Sequence, residues 1–134
     1  MKEKVKIIGL TGKEREDAIN LLSEDGKYEI VELNLSLRGE KYEAIIKVDF
    51  PLIQKGLAEL ISTNVTGNKQ SQSVKVSVND MGAGDLLLFQ GWHEGDEAIR
   101  RKTALRVKAS KHLGQWLKEY ADKNEEEEGT EKKS

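Results

Sequence analysis

Hydrophobic and polar residues alternate along two neighbouring stretches of the chain. Between residues 28 and 37, Val31, Leu33, Leu35 and Leu37 alternate with Glu32, Asn34 and Ser36. Between residues 41 and 50, Tyr42, Ala44, Ile46, Val48 and Phe50 share one face. A period of two belongs to a half-buried strand, and Arg38, Gly39 and Glu40 supply a turn, so the pair predicts a β-hairpin. Ahead of it, the apolar run at residues 5–10 predicts a strand. Thr11 stands three residues before Glu14, the spacing of a capping box. Ala18, Leu21 and Leu22 then give an apolar face, so a helix is expected over 13–24, with Gly26 ending it at positive φ.

After the hairpin, Pro51 opens a predicted helix over 51–62, in which Ile53, Leu57, Leu60 and Ile61 recur at helical spacing. Residues 63–73 are polar and read as a mobile loop, open to proteolysis. Val74, Val76 and Val78 mark a strand, closed by a tight turn at 79–85 around Gly82 and Gly84. Residues 86–92 read as the next strand, 93–97 as a turn around Gly95, and 99–108 as a final strand. Ser110 is placed to cap a last helix, with Leu113, Trp116, Leu117 and Tyr120 in one stripe. The expected order is β-α-β-β-α-β-β-β-α. That is an α+β fold: a largely antiparallel sheet of five to six strands, three helices on one face, and an amphipathic helix at the C-terminus. No internal repeat emerges.

Composition adds boundaries. A chain of 134 residues fits one domain, expected over 1–122. Residues 123–134 hold no apolar side chain and include the acidic run 125–128, which predicts a disordered charged tail. Charged residues make up 34%, but 22 basic against 24 acidic gives no general attraction to nucleic acid. Cysteine is absent, which removes disulfides, thiolate metal sites and cysteine nucleophiles from consideration. The first five residues are charged and lead into only a short apolar run, so no signal-peptide core is expected. The longest apolar run, 86–89, is far short of the roughly 20 residues of a spanning helix. A cytoplasmic location without a membrane partner is expected.

The candidate binding residues lie in the predicted strand 99–108. As a strand it places Arg100, Lys102, Arg106 and Lys108 on one face, interrupted only by Ala104. Like charges along one face repel, which suggests a stripe for phosphate or an acidic partner. Trp92, ending the neighbouring strand, offers a stacking surface of the kind that single-strand binders use. The alternative is a solvated face neutralised by Glu94, Asp96 and Glu97. The acidic tail is complementary to such a stripe and is a candidate shield for it.

Other chemistry is poorly supported. Asn79, Asp80 and Asp85 do not follow the calcium-loop order. The stretch Gly9-Leu10-Thr11-Gly12-Lys13 lacks the nucleotide-loop spacing, and Glu14 follows the lysine. His93 and His112 lack the short ligand spacing of a zinc site, and no nucleophile elbow surrounds Ser110 or any other serine. No catalytic residue, metal or cofactor is expected. Trp116 and Tyr120 read as core, or as a helix face offered to a second subunit.

The run Val74-x-Val76-x-Val78-x-Asp80-x-Gly82-Ala83-x-Asp85 resembles a stretch of the acyl-carrier subunits of citrate lyase and malonate decarboxylase. The resemblance implies a carrier subunit with its prosthetic group on an N-terminal serine, for which Ser23 is the nearest residue. The flanking residues depart from that pattern, and the C-terminal helix has no counterpart in it. Two readings follow. One is a non-catalytic binding module with a protein or single-stranded nucleic acid as partner. The other is a carrier or small-ligand subunit of a larger complex. A homo-oligomer is compatible with both.

Overall fold

A computed structural model describes the backbone of residues 5–66 and 73–133, with side chains over 5–61 and 79–123. Its elements run α1 (Gly12–Leu22), β1 (Tyr28–Leu37), β2 (Glu40–Asp49), α2 (Phe50–Leu60), β3 (Ile61–Thr66), β4 (Ser73–Val78), α3 (Asp80–Gln90), β5 (Trp92–Gly95), α4 (Ala98–Arg101) and α5 (Thr103–Lys133).

The hairpin forms as its pattern predicts. β1 and β2 pair antiparallel in continuous register from Tyr28↔Asp49 to Leu37↔Glu40. Arg38 at φ 53 and Gly39 at φ 82 make the two-residue turn. Val31, Leu33, Leu35, Ala44, Ile46 and Val48 face the main core. Asp49 caps α2, its carboxylate accepting from the Leu52 amide at 2.9 Å, with Pro51 in the first turn. The valine strand is β4.

The α+β class holds, but its predicted content does not. Among the described residues there is a three-stranded antiparallel sheet, β1-β2-β5, a separate two-stranded ribbon, β3-β4, and five helices. Five or six strands with three helices were expected. Residues 5–10 form no strand: residues 7–10 make a turn in which the Leu10 amide donates to the Ile7 carbonyl at 3.0 Å. Thr11 starts α1 without the side-chain bond of a capping box. Ile61–Thr66 is a strand where the end of a helix and the start of a loop are predicted; of the rest of that loop, Ser73 begins β4 and 67–72 lie outside the described residues. The second sheet face is also covered: Ile45 packs there with Ile7 and Leu22, under α1 and residues 5–10.

The largest correction concerns residues 79–108. The expected turn and strand over 79–92 are the capped start and body of α3, with the Asn79 side chain accepting from the Gly82 amide at 3.0 Å. The expected strand 99–108 is α4 and the first turns of α5, and Ser110 lies inside α5 rather than at its cap. α3 misleads because its outward side also carries apolar residues: Met81 and Phe89 are exposed and Leu86 is only half-buried. Ala83, Gly84, Leu87 and Leu88 are buried against α2 and α5, so no polar stripe gives it a helical period. Strand β5 then returns to β2, pairing Ala44↔Gly95 and Ile46↔Trp92.

α3 and α5 meet backbone to backbone. A Cβ on Gly84 would lie 1.7 Å from the Ser110 carbonyl oxygen, and one on Gly114 would lie 2.3 Å from the Asp80 carbonyl oxygen. Asp80 and Gly84, like Ser110 and Gly114, are four residues apart, one helical turn. Leu105, Ala109, Leu113 and Leu117 continue that face of α5 into the core. α5 remains helical to Lys133, across the segment whose composition predicts disorder.

Any side chain at these contacts must push two helices apart. Gly84→Ala and Gly114→Ala are each expected to lower the unfolding free energy by about 3 kcal/mol, at the upper end for overpacked interiors, in urea denaturation. Losses below about 0.5 kcal/mol would contradict the contact, since that is the size of an ordinary surface substitution.

Candidate functional site

The helical geometry of residues 98–108 disperses the predicted basic stripe. Alternate residues share a face on a strand, but on a helix they diverge by about 200°. Arg100 lies on α4 and Lys102 at its end, while Arg106 and Lys108 leave different sides of α5.

Each of the four is engaged. Arg100 is ion-paired with Glu97 and lies over the Trp92 ring, with 4.1 Å to the centroid. The Lys102 amine is 5.7 Å from the Tyr42 ring. Lys108 donates to the Ser36 carbonyl at 2.6 Å, tying α5 to β1. Arg106 forks onto Asp85 of α3, Nε to Oδ1 at 2.8 Å and Nη2 to Oδ2 at 2.5 Å, and lies over Phe89 at 4.8 Å. Buried Ser110 adds its hydroxyl to Asp85 Oδ1 at 3.0 Å. The Arg106 hydrogen bond, aided by that of Ser110, holds the Asp85 carboxyl below the 3.8 of an unperturbed aspartate, against the effect of burial. Arg106 is raised in turn by the same hydrogen bond.

Trp92 remains at a site. It lines a cleft of about 380 Å³ between the end of the sheet, the start of α2 and the α3–β5 junction. Tyr28, Lys47, Asp49, Lys55 and His93 share the wall. Lys47 sits over the Tyr28 ring at 4.0 Å and pairs with Glu24 at 3.1 Å. The periodicity of the hairpin contained no sign of this cleft, because Tyr28, Lys47 and Asp49 point to the sheet face away from the main core.

A second, wider groove of about 740 Å³ runs between the start of α3 and α5, past Met81, His112, Trp116 and Glu119. Trp116 and Tyr120 pack on the core with ring centroids 5.6 Å apart. Asp85 lines neither cleft.

Among the described residues no group of three His, Cys, Asp or Glu side chains is placed to hold a metal ion, and no helix is long and apolar enough to cross a membrane. Ser23 ends α1 with its hydroxyl on the Asn20 carbonyl at 2.8 Å. The stretch that resembles the acyl-carrier subunits is divided between β4 and the first turns of α3. No family model, no curated protein and no solved structure matches the chain.

Two outcomes are expected at Asp85. Ser110→Ala loses about 1 kcal/mol in urea denaturation, as for one hydrogen bond. Because the folded carboxyl titrates below its unfolded value, its stabilisation is present in full above about pH 4 and disappears as the pH falls through the folded value. Asp85→Asn should therefore lower the thermal midpoint near neutrality, and its gap from wild type should close as the pH falls through the folded value. A gap independent of pH would contradict the carboxylate's role.

Proposed function

We propose that the chain is a non-catalytic interaction module that docks a protein partner at the Trp92 cleft. The observation that carries this reading is the engagement of the cations. Binding to a nucleic-acid backbone draws its affinity from cations that are free to displace counterions from phosphates. Here Arg100, Arg106 and Lys47 already hold carboxylates, and Lys108 holds a carbonyl. Each would have to give up a partner before meeting a phosphate.

The same residues suit a protein. Tryptophan, tyrosine and arginine dominate the energetics of protein interfaces, particularly around a pocket. The cleft sets the Trp92 and Tyr28 rings in a largely polar wall with Lys47, Asp49, Lys55 and His93, an aromatic anchor with charged groups around it. Of the predicted binding residues, Arg100 belongs to this surface through its stack on Trp92, whereas Lys102 lies over Tyr42, outside the cleft. Arg106 and Lys108 serve to fasten α5.

The test compares the full chain with Trp92→Ala as baits in native cell extract, with Lys111→Ala, on the opposite groove, as control. Trp92→Ala is expected to reduce recovery of the partner at least tenfold, the effect of losing one hot spot, while Lys111→Ala leaves it unchanged. Equal recovery with all three baits would overturn the reading. So would salt-dependent quenching of Trp92 by single-stranded oligonucleotide in a Trp116→Phe background.

A further inference from the structure

Residues 5–8 are held as a bound peptide is held, and a turn, with the Leu10 amide donating to the Ile7 carbonyl at 3.0 Å, leads from them into the tether. Among the described residues, no backbone–backbone hydrogen bond joins them to another element. Three side chains read their backbone instead. The Glu94 carboxylate accepts from the amide of Ile7 and, at 3.4 Å, from that of Ile8. His93 Nε2 donates to the Val5 carbonyl at 2.5 Å. Arg15 Nη1 donates to the carbonyls of Ile7 at 3.2 Å and Leu10 at 3.1 Å. Ile7, with no exposed surface, fills the space between Leu22 and Ile45. Backbone hydrogen bonds with an apolar side chain in a pocket are how extended peptides dock.

The tether to α1 has the character of a hinge. Gly9 stands at φ +97 and Gly12 at φ +57, and nothing lies within 4 Å of where either Cβ would be. Backbone conformation alone, and no packing, calls for glycine at both.

We infer that this groove between α1 and β5 takes the same segment from a second copy of the chain, giving a reciprocal segment-exchanged dimer. The groove's contents specify the occupant: Val5, Ile7 and Ile8 fit it in every copy, so another copy presents the matching peptide. Within one chain the short tether fills the groove first, with an effective concentration in the millimolar range. Exchange therefore sets in at about millimolar chain. It sets in lower when positive φ at the hinge is penalised, because an extended hinge does not need it. A β-branched residue in that region costs about tenfold in population per site. This inference does not depend on the Trp92 cleft.

Gly9→Val with Gly12→Val should bring dimerisation from about millimolar to about 0.1 μM in sedimentation velocity, a shift of about ten-thousandfold, because each of the two protomers is relieved of two strained sites. A double variant no more dimeric than wild type would overturn the proposal. The wild-type hinge supplies an independent test, because the natural chain has no cysteine. Full-length Val5→Cys and His93→Cys chains are refolded together at about millimolar concentration and treated with a short bis-maleimide, and a crosslinked heterodimer is expected. If both thiols in one chain crosslink within it while the mixed chains stay separate, the segment binds only in cis and the exchange is refuted. If the one-chain pair fails to crosslink as well, the segment is not in the groove and the proposal fails outright.

Discussion

The contact between Gly84 on α3 and the backbone of α5 at Ser110, repeated one turn away between Gly114 and Asp80, fixes how these two helices pack over the hairpin. Only glycine allows the two helix axes to come so close. The approach brings Leu87 and Leu88 of α3 and Leu105, Leu113 and Leu117 of α5 into one core with the inner face of the hairpin. Each of these side chains, fully buried, contributes roughly 1.5–3 kcal/mol. A cation over an exposed ring contributes about 0.5–1 kcal/mol. The helix pair is therefore what holds the fold, and the basic residues around it take positions that the pair determines.

Those positions explain the surface. With α5 fixed against α3, Arg106 meets Asp85 and Lys108 reaches the Ser36 carbonyl on β1. α4, just before α5, lays Arg100 on Trp92, and β5 returns Trp92 to the hairpin beside Tyr28 and Lys47. The cleft is thus assembled from three separate parts of the chain, with Lys47 and Arg100 beside it already paired with Glu24 and Glu97.

The hairpin and α2 were legible in the sequence because their signals are local: alternation with a polar turn in one, a proline and a four-residue apolar period in the other. α1 was legible from Leu21 and Leu22, although its capping box was not realised. Residues 86–89 read as a strand because Leu86 and Phe89, on the outward side of the helix, are as apolar as the buried Leu87 and Leu88 and leave no polar stripe. Residues 99–108 read as a strand because Arg100, Lys102, Arg106 and Lys108 happen to fall at even spacing. A helical signal was present there: Leu105, Ala109, Leu113 and Leu117 are each four apart, and they extend the final helix back across Ser110. The glycines at 82 and 84 suggest a turn, whereas one lies under the Asn79 cap and the other at the helix crossing. Of the predicted site, Trp92 and Arg100 came together. Tyr28, Lys47 and His93 were missed because nothing in a linear sequence brings residues 28, 47 and 93 to one place.

The helix crossing is the claim on which the rest depends, and nuclear magnetic resonance on the isotopically labelled chain tests it most directly. The account predicts helical Cα secondary shifts through residues 80–90 and 103–117, with nuclear Overhauser contacts from the Gly84 α-protons to Ser110 and from those of Gly114 to Asp80. Strand-type shifts at residues 86–89 and 103–108, with cross-strand α-proton contacts in place of those two, would contradict it.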